Sequence, residues 1–321
     1  MKPSTLSKVV LACLALGAWM AGAAPAPSAA RSAIEKSLPY LEREGVDWLA
    51  GRVPIQHGRG CVSCHHVGFA VWGHREAARA GIATPSERIA DLERRAMAFV
   101  VAPAEGQPVV AGQLVLARSG SASPEALLSR LTEKQQDDGS WRAGGQFPTQ
   151  LRPIAESDAV ATMWTILAQA SIESPDADTA AARERAVAWL GKSSRGETTE
   201  WLLLHMLVTQ ALRDSSAAEK DAQELLERQN DDGGWAWSAR RASDALSTGQ
   251  VLYALGRMPD SSARRDRVDR AVAWLVAAQR ADGSWEVPSR LTSAEPSAGK
   301  DRVYTYWGTA WASIGLSRTL Q

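Results

Sequence analysis

The sequence predicts an all-α protein built from repeated helical hairpins. Apolar residues recur at helical, not alternating, spacing over most of the 321 residues. A phrase that ends in Asp-Gly-x-Trp is found in related forms at 136–141, 229–235 and 279–285. The hexapeptide Arg-Ala-Val-Ala-Trp-Leu is found unchanged at 185–190 and 270–275, 85 positions apart. That interval is two units of about 42 residues, a length typical of helical-hairpin repeats.

Each unit is expected to be one hairpin. A helix runs into the phrase, Asp-Gly ends it, and a polar residue such as Ser157, Thr198 or Ser243 caps the next helix. Helices are expected in order near 33–48, 69–80, 86–100, 109–117, 124–134, 158–170, 179–190, 198–212, 217–228, 244–256, 264–278 and 304–317. Six such hairpins can form an open solenoid or close into a ring. We expect the closed ring, with 159–170, 245–255 and 307–316 among its inner helices.

The repeated phrase resembles the QW repeat of the terpenoid cyclases, the squalene–hopene and oxidosqualene cyclases, whose domains are α/α toroids. Protein prenyltransferase β-subunits share that architecture. The resemblance covers most of residues 125–321 and implies that 33–321 is a single toroid domain. It also implies that the repeat glutamines cap helix ends and the tryptophans brace neighbouring turns, which accounts for 13 Trp against 3 Phe. These bracing residues are Gln136, Gln229, Gln279, Trp141, Trp235 and Trp285.

The same resemblance does not extend to cyclase chemistry. The sequence has neither the D-x-D-D motif that protonates an alkene nor the D-D-x-x-D motif that holds magnesium on pyrophosphate. The nearest acidic pairs, 137–138 and 231–232, lie in the Asp-Gly turns. The chain is long enough for one barrel, whereas squalene-type cyclases stack two. We therefore expect a cyclase-like scaffold without cyclase activity.

The N-terminus predicts export. Residues 1–23 combine Lys2 and Lys8, a short apolar run and the small residues 21–23, which is typical of a signal peptide. An Ala/Pro-rich linker is expected at 24–32. The apolar run is too short to span a bilayer, so no transmembrane segment is expected in the mature, periplasmic or secreted chain. Lys and Arg number 36 and so do Asp and Glu, without a basic block that would favour nucleic acid.

One motif predicts a cofactor. Cys61, Cys64 and His65 form a CxxCH sequence, the spacing used for covalent haem c. The two thiols would bond the vinyl groups, and His65 would be the metal ligand to iron. A Cys61–Cys64 disulfide, a zinc site and a motif without cofactor are the alternatives. Zinc is the weakest of these, because the candidate ligands crowd into six positions and make a poor tetrahedral cage.

The haem segment, residues 57–66, follows the first predicted helix. The motif is therefore expected within the first hairpin, where later units carry the repeated phrase. Over residues 33–80 the chain is similar to exported bacterial squalene-cyclase-like proteins with a Cys-Val-Ser-Cys-His-His segment. The sixth iron ligand is expected among His57, His74 and Met97, because His66 is too close to His65 to reach the opposite face of the haem.

These observations predict an exported haem-c protein on a toroid scaffold. Its role would be electron transfer or redox sensing, with a redox partner protein or an apolar small molecule. A haem-dependent oxidoreductase or peroxidase with a pocket in the ring is the enzyme alternative, and whether the chain is an enzyme stays open. A non-haem binding module is the third interpretation. Six-coordinate iron would favour electron transfer, and five-coordinate iron would favour the enzyme.

Several polar and aromatic residues near predicted inner helices are further site candidates. Asp158 and Asp244 are expected mainly to cap helices, because both occur in Ser-Asp-Ala at a helix start. His205 is expected to be a hydrogen-bonded core histidine. Glu200 is a further candidate. The last is an aromatic group, expected to pack in the core more than to line a pocket, which consists of Tyr304, Tyr306, Trp307 and Trp311.

Overall fold

The computed structural model describes residues 27–50, 67–101, 108–117, 125–144, 150–290 and 298–321. The predicted signal peptide and the haem segment with Cys61, Cys64 and His65 lie outside the described residues. The described parts contain helices and no strand, which confirms the all-α prediction.

Twelve helices lie in these parts, each on a predicted one. Their bounds are α1 Pro27–Leu49, α2 Val67–Arg79, α3 Ser86–Val101, α4 Pro108–Ala117, α5 Glu125–Glu133, α6 Ile154–Ala170, α7 Ala177–Leu190, α8 Thr199–Ala211, α9 Ser215–Glu227, α10 Ala245–Leu255, α11 Ser262–Ala278 and α12 Ala298–Arg318. Helix α1 begins inside the predicted linker. Proline is well suited to a first helical position, and the Ala-rich residues after Pro27 have high helix propensity.

The even-numbered helices form a closed inner ring. Each of α2, α4, α6, α8 and α10 packs against the next, and α12 packs against both α10 and α2. The odd-numbered helices lie outside them. The inner helices are apolar on nearly all sides: every residue of α10 is buried. Outer helices such as α9 bury only one stripe. The α/α toroid and the three inner helices predicted from the sequence are confirmed.

Each tryptophan of the repeated phrase joins three parts of the ring. Its indole Nε1–H donates to the carbonyl oxygen ten residues earlier, on the preceding outer helix, at 2.7 Å in all three copies. Its backbone N–H donates to a threonine hydroxyl on the following inner helix at 2.9–3.0 Å. Trp141, Trp235 and Trp285 are 0–1% exposed. Their predicted bracing role is confirmed.

The glutamine of the phrase ties each outer helix to the next one. Gln229 donates from Nε2 to the carbonyls of Gly233 and Arg267, both at 2.8 Å. Gln279 makes the matching bonds, and its bond to Ala33 in α1 at 2.8 Å closes the outer layer. In the first copy Gln135 makes these bonds.

The prediction for Gln136 is therefore wrong. In the other two copies the functional glutamine lies six positions before its tryptophan, and Gln135 is the residue at that distance from Trp141. The Gln136 amide is exposed and donates to the Lys134 carbonyl. Because Gln135 and Gln136 are adjacent, the sequence pattern was aligned to the wrong one of the two glutamines.

Glycine is required in each phrase by backbone conformation and by space. Gly139, Gly233 and Gly283 have φ of +92°, +95° and +87°. A Cβ atom at Gly139 or Gly233 would lie 2.7–2.8 Å from a carbonyl oxygen of the next outer helix. At Gly283 it would overlap the Lys36 carbonyl of α1. The turn that closes the ring is thus the most crowded of the three.

The predicted helix caps are correct in part. Thr198 caps α8 and accepts a hydrogen bond from the Trp201 N–H. Helix α10 is capped by Asp244, one residue after the predicted Ser243. Helix α6 begins at Ile154, so Ser157 is inside it and caps nothing. The Pro153 ring fixes a backbone conformation that starts the helix earlier than the polar residues suggested.

Four aromatic side chains fill the axis of the ring. Trp72, Trp164, Tyr253 and Trp311 come from four different inner helices, with ring centroids 5.0–6.0 Å apart. Most of these pairs meet edge to face, a favourable arrangement for aromatic rings. This aromatic plug separates two ends. We call the end where the inner helices begin the entry end, and the end where they finish the exit end.

Candidate functional site

A small polar cavity lies at the entry end. Its volume is about 20 Å³, which is room for about one water molecule. Polar residues of several inner helices and their preceding links face aromatic rings across it. The lining residues are Phe69, Gln113, Gln150, Glu200, Leu246, Gln250, Arg290, Trp307 and Trp311.

A buried ion pair contributes its carboxylate, Glu200, to the lining of this polar cavity. Glu200, the second residue of α8, accepts a hydrogen bond from Arg152 Nη1 at 2.7 Å and one from Gln250 Nε2 at 3.3 Å. The Arg152 side chain is fully buried, and its Nε donates to the Ser157 hydroxyl at 3.0 Å. A buried pair is tolerated better when its other polar atoms are also bonded, and Ser157 and Gln250 bond to Arg152 Nε and to the second oxygen of Glu200.

A second buried guanidinium lies beside it. Arg290 donates from Nη2 to Asp244 Oδ1 at 2.7 Å and to the Ser247 hydroxyl at 3.0 Å. It lies over the ring of Trp237 at 4.1 Å, and Arg152 lies 5.1 Å from the same ring. The Nη1 atom of Arg290 is buried and has no hydrogen-bond partner among the described residues. An unsatisfied cationic donor at a cavity is suited to a water, a carbonyl oxygen or an anion.

The CxxCH motif, predicted to attach haem, precedes inner helix α2 in the chain, and α2 begins at this same end. The CxxCH motif stops two positions before Val67, the first residue of inner helix α2. Phe69, two residues further on, lines the polar cavity. The chain thus connects His65 directly to the entry end. In the described parts, no group of three or more His, Cys, Asp or Glu side chains is arranged to hold a metal ion.

The described candidates for a sixth iron ligand are His74 and Met97. His74 is buried, and its Nδ1 lies 2.8 Å from the Ala70 carbonyl, which can only accept, so the proton is on Nδ1. Its Nε2 is buried without a partner among the described residues. Burial lowers the pKa of His74. A neutral imidazole with a free Nε2 is the form that binds metals. Met97 is partly buried and packs against the core, and His57 lies outside the described residues.

The two aspartate candidates have different roles. Asp244 caps α10 by accepting from the Ser247 N–H at 2.8 Å, as predicted, and also pairs with Arg290. Asp158 caps nothing, because α6 starts four residues before it. Its carboxylate accepts from the Ala143 N–H at 2.8 Å and from Arg142 at 2.7 Å, which anchors the link that follows Trp141.

The remaining candidates are structural. His205 Nδ1 lies 2.5 Å from Asp221 Oδ2, and its ring stacks on Trp201 at 4.8 Å. Its side chain is 29% exposed, so it is hydrogen-bonded as predicted but lies at the margin of the core. The aromatic group of α12 is buried, and two of its members, Trp307 and Trp311, also form a wall of the polar cavity.

Comparison with solved structures identifies the architecture. The type II terpene cyclase MstE from Scytonema matches with a TM-score of 0.59 at 14% identity, over 92% of this chain and 99% of that one. The fold is the terpene cyclase toroid. A possible member of the GH105 family from Salmonella enterica matches with a TM-score of 0.57 at 13% identity, over 98% of this chain and 99% of that one. At these identities the likeness shows the fold alone.

Sequence comparison gives a shorter match. No family model matches the chain. A drimenyl diphosphate synthase from Streptomyces showdoensis is 39% identical over 80 residues, which is 25% of this chain and 14% of that protein. Because MstE is covered almost completely by this chain, a type II cyclase of this size exists. The chain length is therefore not evidence against a cyclase, and that prediction from the sequence is wrong. The missing acid motifs are the sequence evidence against cyclase activity that remains.

Proposed function

We propose that this protein is an exported haem-c protein that carries its haem at the entry end of the toroid and serves electron transfer or redox sensing. The observation that carries the proposal is the single CxxCH motif, joined directly to the first residue of inner helix α2. Cys61 and Cys64 would hold the haem through thioether bonds, and His65 would bind the iron. Bound haem supplies one-electron chemistry, with a potential set by its axial ligands.

Three described residues of the entry end support the proposal by their chemistry. Haem has an extended apolar face and two carboxylates. Phe69 and Trp307 are aromatic residues on the polar cavity, and Arg290 has a buried cationic nitrogen without a partner among the described residues. Guanidinium groups bind carboxylates through short, charge-assisted hydrogen bonds. The cavity of about 20 Å³ is far too small for the macrocycle, which has to bind outside it.

A terpenoid cyclase is the second candidate, favoured by the fold and by the 80-residue match. Its chemistry requires a carboxylic acid that gives a proton to an alkene in an enclosed cavity. The carboxylate on the polar cavity, Glu200, accepts hydrogen bonds on both oxygens, one of them from Arg152. The aromatic plug fills the space that a polyene would need. These two features favour the haem protein over the cyclase.

The test is maturation of the full chain in a host that attaches haem to other c-type cytochromes. We expect haem to remain on the polypeptide through denaturing electrophoresis and the protein to collect in the periplasmic fraction. Cys61→Ser and Cys64→Ser together should abolish the haem stain. Cys13→Ser is the matched control and should leave it unchanged, because Cys13 lies in the predicted signal peptide.

A colourless protein from that host would contradict the proposal. Thiol titration before and after reduction would then test the Cys61–Cys64 disulfide, and conversion of geranylgeranyl dihydroxybenzoate, the substrate named for MstE, would test the cyclase. If haem is attached, a low-spin spectrum that cyanide leaves unchanged supports an electron carrier. A high-spin spectrum that cyanide shifts supports the oxidoreductase.

A further inference from the structure

The exit end of the ring contains a second and larger cavity, of about 240 Å³. It is bounded by the last turns of five inner helices and by the residues that follow them. Its lining residues are Leu116, Trp164, Leu167, Ala170, Ser171, Leu207, Gln210, Ala211, Tyr253, Arg257 and Arg318. We call it the exit cavity. The aromatic plug separates it from the polar cavity, because Trp164 and Tyr253 line the former and Trp311 lines the latter.

The inner wall of the exit cavity is apolar. Leu167 and Leu207 are buried leucines of α6 and α8, and Trp164 and Tyr253 belong to the aromatic plug. The volume lies between that of the roughly 150 Å³ cavities that take benzene and the roughly 300 Å³ of the smallest drug-sized pockets. The space therefore fits a single ring or a short alkyl chain.

Two arginines form the rim, and no carboxylate lies among the lining residues. Within the described residues neither Arg257 nor Arg318 has an ion pair, and the Nε of Arg318 is buried without a partner. A Cβ atom on Gly256 would lie 2.7 Å from Cγ of Arg318, so the Arg318 stem packs against Gly256, the residue that precedes Arg257. The acid of this end, Glu76, already accepts from Arg79 at 2.6 Å. Arg257 Nη1 donates to the Tyr253 hydroxyl at 3.2 Å and Arg318 Nη1 donates to the Gln321 side chain, and both of these acceptors are neutral. Two cations without a charged partner on the rim of one cavity favour an anion there.

We infer that the exit cavity binds a small amphipathic acid, with its apolar body against the leucines and its carboxylate or phosphate paired with Arg257 and Arg318. A guanidinium group can bind a carboxylate or a phosphate through two parallel hydrogen bonds. This inference does not depend on haem.

A simpler explanation is that the two arginines only balance the negative ends of the inner-helix dipoles. The two explanations differ in what they predict for a ligand. Dipole balance alone requires no affinity for any acid. A binding site requires that the acid bind more tightly than a neutral molecule of the same shape.

Calorimetric titration of the full chain with octanoate, octyl phosphate and octanol separates them. We expect at least one acid to bind and to bind at least ten-fold more tightly than octanol. The tighter acid identifies the head group. Arg318→Met should weaken that acid by ten-fold or more with little effect on octanol. The control Arg94→Met, at an arginine whose side chain is 70% exposed on α3, should change nothing.

Two further variants keep the test decisive if Arg318→Met does not fold, which thermal melts would show. Arg257→Met removes the more exposed cation, and Gly256→Ala keeps both charges but displaces the Arg318 stem. Each should weaken the acid. The inference is overturned if neither acid binds the wild-type chain, if acid and octanol bind equally, or if the folded arginine variants bind the acid as the wild type does.

Discussion

Replacing Trp235 by alanine tests the bracing role of the repeated phrase most directly. The side chain is 0% exposed, so Trp235→Ala leaves a cavity of nearly the full indole volume. Core Trp→Ala changes cost about 3–5 kcal/mol. The variant also loses the 2.7 Å bond from Nε1 to the Leu225 carbonyl, worth about 1 kcal/mol. We expect the free energy of unfolding to fall by an amount near the top of that range, compared with a total of roughly 5–15 kcal/mol for a typical protein.

Thermal unfolding followed by far-ultraviolet circular dichroism measures this loss without relying on tryptophan fluorescence. At about 2–4 °C per kcal/mol for a chain of this size class, Tm should fall by roughly 10 °C or more. Trp235→Phe keeps most of the volume and should lose about 1–2 kcal/mol. The control is Trp189→Ala, at a partly buried tryptophan of α7 on the margin of the core, and this change should cost less stability. If both alanine variants melt alike, the bracing argument is wrong.

Three further predictions follow from the same contacts. Gly283→Ala should destabilise the ring by about 2–4 kcal/mol, because its φ is +87° and a Cβ would overlap a backbone carbonyl of α1. The control Gly191→Ala should be close to neutral in the same melt, because Gly191 has an ordinary φ and a Cβ there would make only ordinary van der Waals contacts. Asp244→Asn keeps an acceptor for the helix cap but leaves Arg290 without its anion. Urea unfolding should therefore show that the free energy of unfolding falls by about 2–4 kcal/mol, more than the loss of a cap alone would cause. A fall of less than about 0.5 kcal/mol would contradict the importance of the ion pair. Burial raises the pKa of Tyr306 well above its ordinary 10. The stability that the neutral buried phenol contributes is therefore complete below pH 10 and is lost as pH rises further. Tyr306→Phe should make the fall of Tm above about pH 10 less steep.

The ring was predictable because its information is local and repeated. An apolar stripe that repeats near 3.6 residues marks an outer helix such as α9, and a long run without a polar face marks a buried inner helix such as α10. The repeated phrase predicted the turns, because its glycine adopts a positive φ and the indole of its tryptophan is hydrogen-bonded to the preceding outer helix. The error at Gln136 came from two adjacent glutamines, and only the distance to Trp141 separates them.

The polar cavity was not predictable, because the arginines on and beside it lie in links outside the helical repeat. Arg152 and Arg290 precede inner helices α6 and α12, and no periodicity or motif marks either of them. Their partners Glu200 and Asp244 were named from helix starts, but pairing them requires the three-dimensional closure of the ring. The same holds for Arg257 and Arg318, which line the same cavity at the exit end although 61 positions separate them in the chain.

The aromatic plug makes the two proposed sites independent of each other. The haem segment precedes α2, which begins at the entry end, and the exit cavity opens at the other end, with Trp72, Trp164, Tyr253 and Trp311 in mutual contact between the two ends. Packed rings with centroids 5–6 Å apart leave no passage for a ligand. An acid bound at the exit end would therefore not reach the iron of the proposed haem, and it should raise Tm by mass action without shifting the spectrum of that haem. If octanoate instead changes the spectrum as cyanide would, the acid binds at the entry end, and the two sites proposed here are one.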